Sequence, residues 1–323
     1  MTSASPHRLT SPACSVIIPT HGRTAYLLDA VRSVQAQSHR DWECWVVSDD
    51  PEEARKKETI IRSLKDDRIH FLLGPRPGAN ASRNEGMRHA SGRYLFFLDD
   101  DDYWLPDKIA LHLDAHKKYA FVSSDSYVRH EGKLNYLLYT GKHRDVRNHR
   151  KQLREFRWCP TSMSFDRELA KDIQWDEALT SYQDWDFWFR LFDRDFECIS
   201  LNQPLAVIRH HANPRASIGF DRRRKNQAIL KQKYGNRLPE ETFARHLTEE
   251  MFLSIRNFAR SGRRLFAFQW GLRLYWSHRK RRNLPFSKIV RACVSPNPDV
   301  RWQLILQQKI NRFRGKPFEI EWI

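Results

Sequence analysis

Four consecutive aspartates, Asp99 to Asp102, close an apolar run that reads YLFFL from Tyr94 to Leu98. Two unit charges 4 Å apart repel by about 1 kcal/mol in bulk water and by about 4 kcal/mol at an effective dielectric near 20. Four carboxylates gathered at one strand tip therefore invite a cation. Oxygen ligands favour Mg2+ or Mn2+, which keep waters and take further ligands from a substrate's phosphates. The same turn also reads as a solvated acidic cap for a helix starting near Pro106 and Asp107.

A second candidate chemistry lies in Ser181 to Leu191, SYQDWDFWFRL. A carboxylate at Asp184, on the lip of a helix rich in Trp185, Phe187, Trp188 and Phe189, is expected to be partly desolvated, which raises its pKa and makes it a better base near neutrality. The alternative is a helix N-terminal aspartate stabilised by the dipole, and Asp186 competes for the role. Arg83 offers a guanidinium that can pair with a diphosphate, hold a carboxylate in place, or sit exposed on its helix. Gly74 and Gly78 precede that helix without forming G-x-G-x-x-G after a strand, and no Walker lysine follows. Dinucleotide-dependent dehydrogenase and P-loop nucleotidase readings lose their main support.

The elements that must position these residues alternate along the first hundred positions. CSVIIP (Cys14–Pro19), WECWVV (Trp42–Val47), Ile69–Leu73 and YLFFL read as strands. Thr24–Gln37, with Ala25, Leu28, Val31 and Val34 at roughly helical spacing, Glu52–Leu64 and residues 79–90 read as helices between them. Such alternation predicts right-handed βαβ units in a mostly parallel sheet whose ligands sit at the carboxyl ends of the strands. Thr20 to Arg23, Ser48 to Asp50 and the aspartate tetrad should then converge on one crevice. Residues 129–157 read as a polar loop or hairpin region flanking it, and from about residue 221 the pattern becomes basic helices.

In order and spacing, SVIIPTHGR from Ser15, WECWVVSDD from Trp42 and GANASRNEGMRHASGRYLFFLDDDDYWLPDK from Gly78 resemble the nucleotide-sugar domain of the GT-A glycosyltransferases of family 2, over roughly residues 14 to 211. The resemblance implies a GT-A fold, Rossmann-like, with a mostly parallel central sheet, flanking helices and, here, a basic helical C-terminal region. It maps the family's Asp-x-Asp motif, which grips a divalent ion and the ribose, onto Asp99 and Asp101, with Asp102 adjacent. It maps donor binding onto Pro19, Thr20 and Arg23 and the base-contacting acid onto Asp49, with Ser48 where many members carry another aspartate. The Arg-Asn pair falls on Arg83 and Asn84. Asp184 takes the place of the catalytic base, with Gln183 where the family has Glu. His211, with His210 as competitor, falls on an Arg-x-His element that approaches the metal or diphosphate, and Trp158–Ser162 falls near the acceptor side. The implied reaction is inverting transfer of a sugar from a nucleotide-diphosphate sugar to a hydroxyl of a glycan or lipid-linked acceptor.

Length and composition agree with an enzyme-sized globule: 323 residues, 40% hydrophobic and 29% charged, are too rich in core formers for disorder. Residues 221–323 carry 24 Lys and Arg against 8 Asp and Glu, which leaves only +1 of the formal +17 for residues 1–220. The expected organisation is a tail (1–13), a catalytic domain (14–220) and a basic helical region (221–323). Residues 251–282 interleave aromatic and basic residues, which suits an anionic membrane surface or a basic-surfaced helical pair. Nucleic acid is not expected, because no recognition fold is evident. Five scattered cysteines, no apolar leader and no apolar span of ~18 residues predict a cytoplasmic protein, peripheral to a membrane at most. Two rivals remain: a catalytically silent polyanion-binding protein and a metal-dependent nucleotidyltransferase.

Overall fold

The structure, a computed structural model, describes residues 11–22, 24–130, 133–138, 159–210, 220–236 and 269. The chain divides into two compact units, Met1–Leu230 and Lys231–Ile323. The first unit begins with the expected alternation: β1 (Cys14–Thr20), α1 (Thr24–Gln35), β2 (Trp42–Ser48), α2 (Pro51–Ser63), β3 (Ile69–Leu73), α3 (Ala79–His89) and β4 (Tyr94–Phe97). These four strands pair in parallel in the order β3-β2-β1-β4. Because α3 carries the chain from one edge past β1 to the other side, the strand order reverses between β1 and β4. The carboxyl ends of strands flanking such a switch leave an open crevice, and Thr20 and the aspartate tetrad stand there.

After β4 the sheet becomes mixed. β5 (Tyr103–Trp104), α4 (Lys108–Ala115), β6 (Phe121–His130), β7 (Lys133–Leu138), a 3-10 turn at Pro160–Ser162, β8 (Met163–Asp166), α5 (Gln183–Leu191), β9 (Cys198–His210) and α6 (Phe220–Tyr234) follow. Among the described residues the sheet has nine strands in the order β3-β2-β1-β4-β8-β6-β9-β5, with β7 on β6. β8 lies antiparallel to β4 and β6, whereas β6 and β9 run parallel. Part of the polar stretch after residue 129 is thus the β6–β7 hairpin, and residues 139–158 lie outside the described residues.

The core follows from these faces. Leu95 to Leu98 are buried, as a strand covered on both sides requires. α1 buries Leu27, Ala30, Val31 and Val34, whereas Ala25 is exposed and Leu28 half-buried. The apolar stripe is therefore set one residue back from the spacing through Ala25 and Leu28, with the i, i+3, i+4, i+7 pattern of a helix lying on a sheet. A second, aromatic layer joins β4, β8 and α5: Phe97, Phe165, Trp175, Phe187 and Trp188 are all buried, and Trp175 stacks on Phe187 with centroids 4.3 Å apart. Burying each such side chain contributes about 2 kcal/mol, so this layer holds α5 firmly on the sheet.

α3 differs from the other helices. Its buried face is Asn80, Ala81, Ser82, Arg83, Asn84 and Gly86, and buried polar groups must find partners or forfeit about 1–3 kcal/mol each. A Cβ on Gly86 would fall 2.5 Å from Ile17 Cγ2, so glycine lets this polar helix lie close to β1.

Candidate functional site

The polar face of α3 is satisfied by the residues that could do chemistry. Arg83, nearly buried, donates to Asp99 Oδ1 at 2.8 Å, to Asn80 Oδ1 at 3.3 Å and to Gln183 Oε1 at 3.4 Å, and its guanidinium lies 4.6 Å from the Trp175 ring centroid. Of the three readings open to Arg83, an exposed helix position is excluded. The side chain holds a carboxylate in place and spans from the acidic turn to the first residue of α5. Asn84 pairs with the Trp175 backbone at both groups, donating to its carbonyl at 2.9 Å and accepting from its N–H at 2.7 Å. Asn80 donates to the carbonyls of Asp176 and Leu179. The loop leading to Asp184 is thus laced to α3.

At the other end of that loop Tyr182 sits in the left-handed region, φ 58°, immediately before α5. For a bulky residue this conformation costs on the order of 1–3 kcal/mol and persists only where its surroundings impose it. Asn226 of α6 donates to Thr180 Oγ1 and Ser181 Oγ at 3.0 and 2.7 Å, and Gln227 donates to Tyr182 Oη at 2.7 Å. The pinned loop enters α5 with Asp184 half-buried in its first turn, its Oδ1 accepting from the Trp185 N–H at 2.9 Å. Asp186 is fully buried and paired with Arg190 at 2.5 Å, which commits it to the helix.

The aspartate tetrad does not cap the following helix, because β5 intervenes and Asp107 is the N-cap of α4 without a side-chain bond. The turn closes through the Asp102 N–H on the Asp99 carbonyl at 3.0 Å. Asp102 is buried; its Oδ2 accepts from Thr161 Oγ1 at 2.8 Å and its Oδ1 from the Arg209 N–H of β9 at 2.9 Å. Asp100 and Asp101 are also buried, and Asp100 Oδ2 accepts from the His21 N–H at 3.3 Å. Ligand atoms of Asp99, Asp102 and Cys159 lie within 4.8 Å of one another. Burial, then the carboxylates of Asp99 and Asp102, push the Cys159 thiol well above its ordinary range, so it stays protonated. The fit to a hard divalent cation therefore rests on the two carboxylates. Asp101 is not part of that group, and His211 and Arg23 lie outside the described residues.

The ends of β1 and β2 meet this turn. Asp49, nearly buried, accepts from the Gly78 N–H at 2.6 Å through Oδ2, while His21 Nδ1 lies 2.8 Å from its Oδ1. Gly78 has φ 120°, open to glycine and strained for other residues, and this turns its amide toward Asp49 at the start of α3. Pro19 and Thr20 close β1, both buried, and the Thr20 carbonyl accepts from the Asp49 N–H at 3.2 Å. His21 thus touches both the β2 end and the acidic turn, so the three strand ends converge as the alternation predicted. What the sequence reading missed is Asn226, a polar residue outside any motif, and the bond from Thr161 to the acidic turn, since Trp158–Ser162 was expected near the acceptor side.

The family model described as glycosyl transferase family 2 matches residues 15–173. TuaG of Bacillus subtilis, a glycosyltransferase assigned to teichuronic acid biosynthesis, is 30% identical over 203 residues, which cover 61% of this chain and 79% of that protein. A GalNAc(5)-diNAcBac-PP-undecaprenol beta-1,3-glucosyltransferase of Campylobacter jejuni is 37% identical over 128 residues, or 38% of this chain. The match spans 41% of that relative's length. Among solved structures, S. aureus TarS 1–349 in complex with UDP-GlcNAc is similar with a TM-score of 0.56 at 16% identity, over 86% of this chain and 90% of that one. The mannosyltransferase PcManGT of Pyrobaculum calidifontis, in complex with GDP-Man and Mn2+, has a TM-score of 0.53 at 14% identity, over 95% and 87%. The likeness to these structures is one of fold, the GT-A architecture.

Proposed function

The chain belongs to glycosyl transferase family 2, and from that premise we propose that it is an inverting glycosyltransferase moving a sugar from a nucleotide-diphosphate donor to a hydroxyl of a glycan or lipid-linked acceptor. The observation that carries the reading is the hydrogen-bonded path Asp99–Arg83–Gln183, which ties the acidic turn to the residue preceding Asp184. A donor-binding group and a candidate base are thereby held in one frame, as positioning for a single displacement requires. Asp184 takes the proton from the acceptor hydroxyl as that oxygen attacks the anomeric carbon on the face opposite the leaving diphosphate. One displacement inverts the configuration, so no covalent intermediate forms.

Asp49, with Pro19, Thr20 and Arg23, forms the nucleoside side of the site, and Asp49 accepts from the base. Asp99, Asp101 and Asp102 form the phosphate side, where the 4.8 Å grouping of Asp99 and Asp102 supports these two as the pair that would hold a Mg2+ or Mn2+ ion, with His211 as a further contact. Such an ion supplies positive charge against the negative charge developing on the leaving group. The undecaprenol-linked substrate named for the C. jejuni relative supports a lipid-linked acceptor. The +16 balance of residues 221–323 supports a basic region that meets an anionic lipid surface. Among the described residues no helix is long and apolar enough to cross a membrane.

The test is a panel of nucleotide sugars with and without Mn2+, read by phosphorus NMR for the released phosphate and by proton NMR for the anomeric configuration of the product. Release of a nucleoside diphosphate with inversion is expected. Release of pyrophosphate points to a nucleotidyltransferase, and retention of configuration refutes the single displacement. Failure to bind any nucleotide leaves a silent polyanion-binding protein.

A further inference from the structure

Thr161 belongs to the Trp158–Ser162 segment, yet it touches two members of the aspartate tetrad. It is fully buried in the 3-10 turn before β8. Its Oγ1 is 2.8 Å from Asp102 Oδ2 and 3.3 Å from the Asp99 backbone N–H. An N–H can only donate and an ionised carboxylate can only accept, so the hydroxyl must accept from Asp99 and donate to Asp102. One hydroxyl therefore fixes both ends of the acidic turn. The Arg209 N–H of β9 holds the other oxygen of the same carboxylate, Oδ1, at 2.9 Å.

The turn that presents this hydroxyl is itself fastened. The Thr161 carbonyl accepts from Trp104 Nε1 at 3.0 Å, and the Ser162 carbonyl from Ser124 Oγ at 3.3 Å. Ser124 Oγ in turn accepts from buried Lys108 Nζ at 3.1 Å. Supporting contacts of this kind hold ligating carboxylates in productive geometry elsewhere.

We propose that Thr161 is a positioning residue of the donor site, whose hydroxyl aims the Asp102 carboxylate at the cation that accompanies the nucleotide diphosphate. The inference rests on the cation-assisted donor site proposed above. It assigns the segment around Thr161 to the donor's phosphates, in place of the acceptor side implied by the family resemblance.

The experiment uses the full chain with Thr161→Val, which keeps the shape and removes the hydroxyl, and Thr161→Ser, which keeps the hydroxyl and removes the methyl. Mn2+ is titrated in the presence of UDP and, separately, of GDP, and free ion is read from its electron paramagnetic resonance signal. Circular dichroism melting checks the fold. Thr161→Val is expected to weaken Mn2+ binding at least about 10-fold, with Thr161→Ser within about 3-fold of wild type, since a hydrogen bond to a charged group contributes about 1.5–3 kcal/mol. Wild-type affinity in Thr161→Val overturns the assignment. So does equal weakening in both variants; should Thr161→Val fail to fold, Thr161→Ser decides, and a weakening of more than about 10-fold there, with the hydroxyl kept, overturns the assignment. If wild type itself binds no Mn2+ with either nucleotide, the donor-site reading falls and takes the assignment with it.

Discussion

Acidification should unlock a proton-ordered chain buried behind the site. His116 Nδ1 lies 2.9 Å from the Tyr119 carbonyl, which only accepts, so Nδ1 carries the proton and Nε2 accepts from Ser164 Oγ at 2.7 Å. Having used its proton there, Ser164 accepts from His112 Nδ1 at 2.7 Å, and His112 Nε2 accepts from Lys108 Nζ at 3.2 Å. Every direction is set by the one carbonyl at the end. A second proton on His116 would face Ser164 with an N–H and break that order. Burial brings His116 down to about 4 from an ordinary 6.5, opposed by the Tyr119 carbonyl and Asp166 and aided by Arg93. Burial, then the proximity of Lys108 and His116, lowers His112 in the same direction.

The sign follows from proton counting. Between about pH 6.5 and about pH 4 the unfolded chain binds the His116 proton and the folded chain does not, so stability falls as pH falls through that window. From about pH 8 to about pH 5 the loss from His116 alone is about 2 kcal/mol. His116→Phe keeps the stacking on Tyr94, whose ring centroid lies 4.2 Å away, and cannot titrate. Urea unfolding followed by circular dichroism should show the wild type losing about 2 kcal/mol more than the variant over that interval, the carboxylates being common to both. Parallel curves for the two proteins would refute the buried, neutral assignment of His116.

Three further outcomes are expected. Asp184→Asn lowers kcat at least about 100-fold while donor affinity, measured by calorimetry, stays near wild type; near-normal turnover removes Asp184 from the role of base. Gly92→Ala places a Cβ 2.4 Å from the Cys14 carbonyl carbon and 2.6 Å from the Ser15 nitrogen, both backbone of β1. It should destabilise by about 1–3 kcal/mol, and an unchanged melting temperature would contradict that contact. Asn84→Ala leaves the Trp175 N–H and carbonyl unpartnered and should cost about 2–3 kcal/mol in urea unfolding; a change below about 0.5 kcal/mol would show that α3 does not hold the loop to α5.

Strands β1 to β4 and helices α1 to α3 were legible because each strand is a short, β-branched or aromatic run and each connection carries turn residues. β6 and β9 were not. The buried positions of β6 include Ser123, Ser124, Asp125 and Ser126, whose polarity hides a buried strand, and the pairing with β9 shifts register opposite Pro204. Proline and irregular pairing are features a strand pattern excludes. The polar face of α3 likewise reads as solvent-exposed until its partners on remote loops are known.

The sequence by itself determined the parallel half of the sheet, the acidic turn at its switch point and the carboxylate at the head of an aromatic helix, because these depend on local period and residue type. Only the tertiary structure decided which groups act together. Asp99 meets Asp102 because the turn closes on itself, and Asp102 is aimed by Thr161 and Arg209, residues 59 and 107 positions away. Arg83 reaches both Asp99 and Gln183 because α3 lies between them. Hydrogen bonds act over about 3 Å of space irrespective of separation along the chain, and no spacing rule reports that distance.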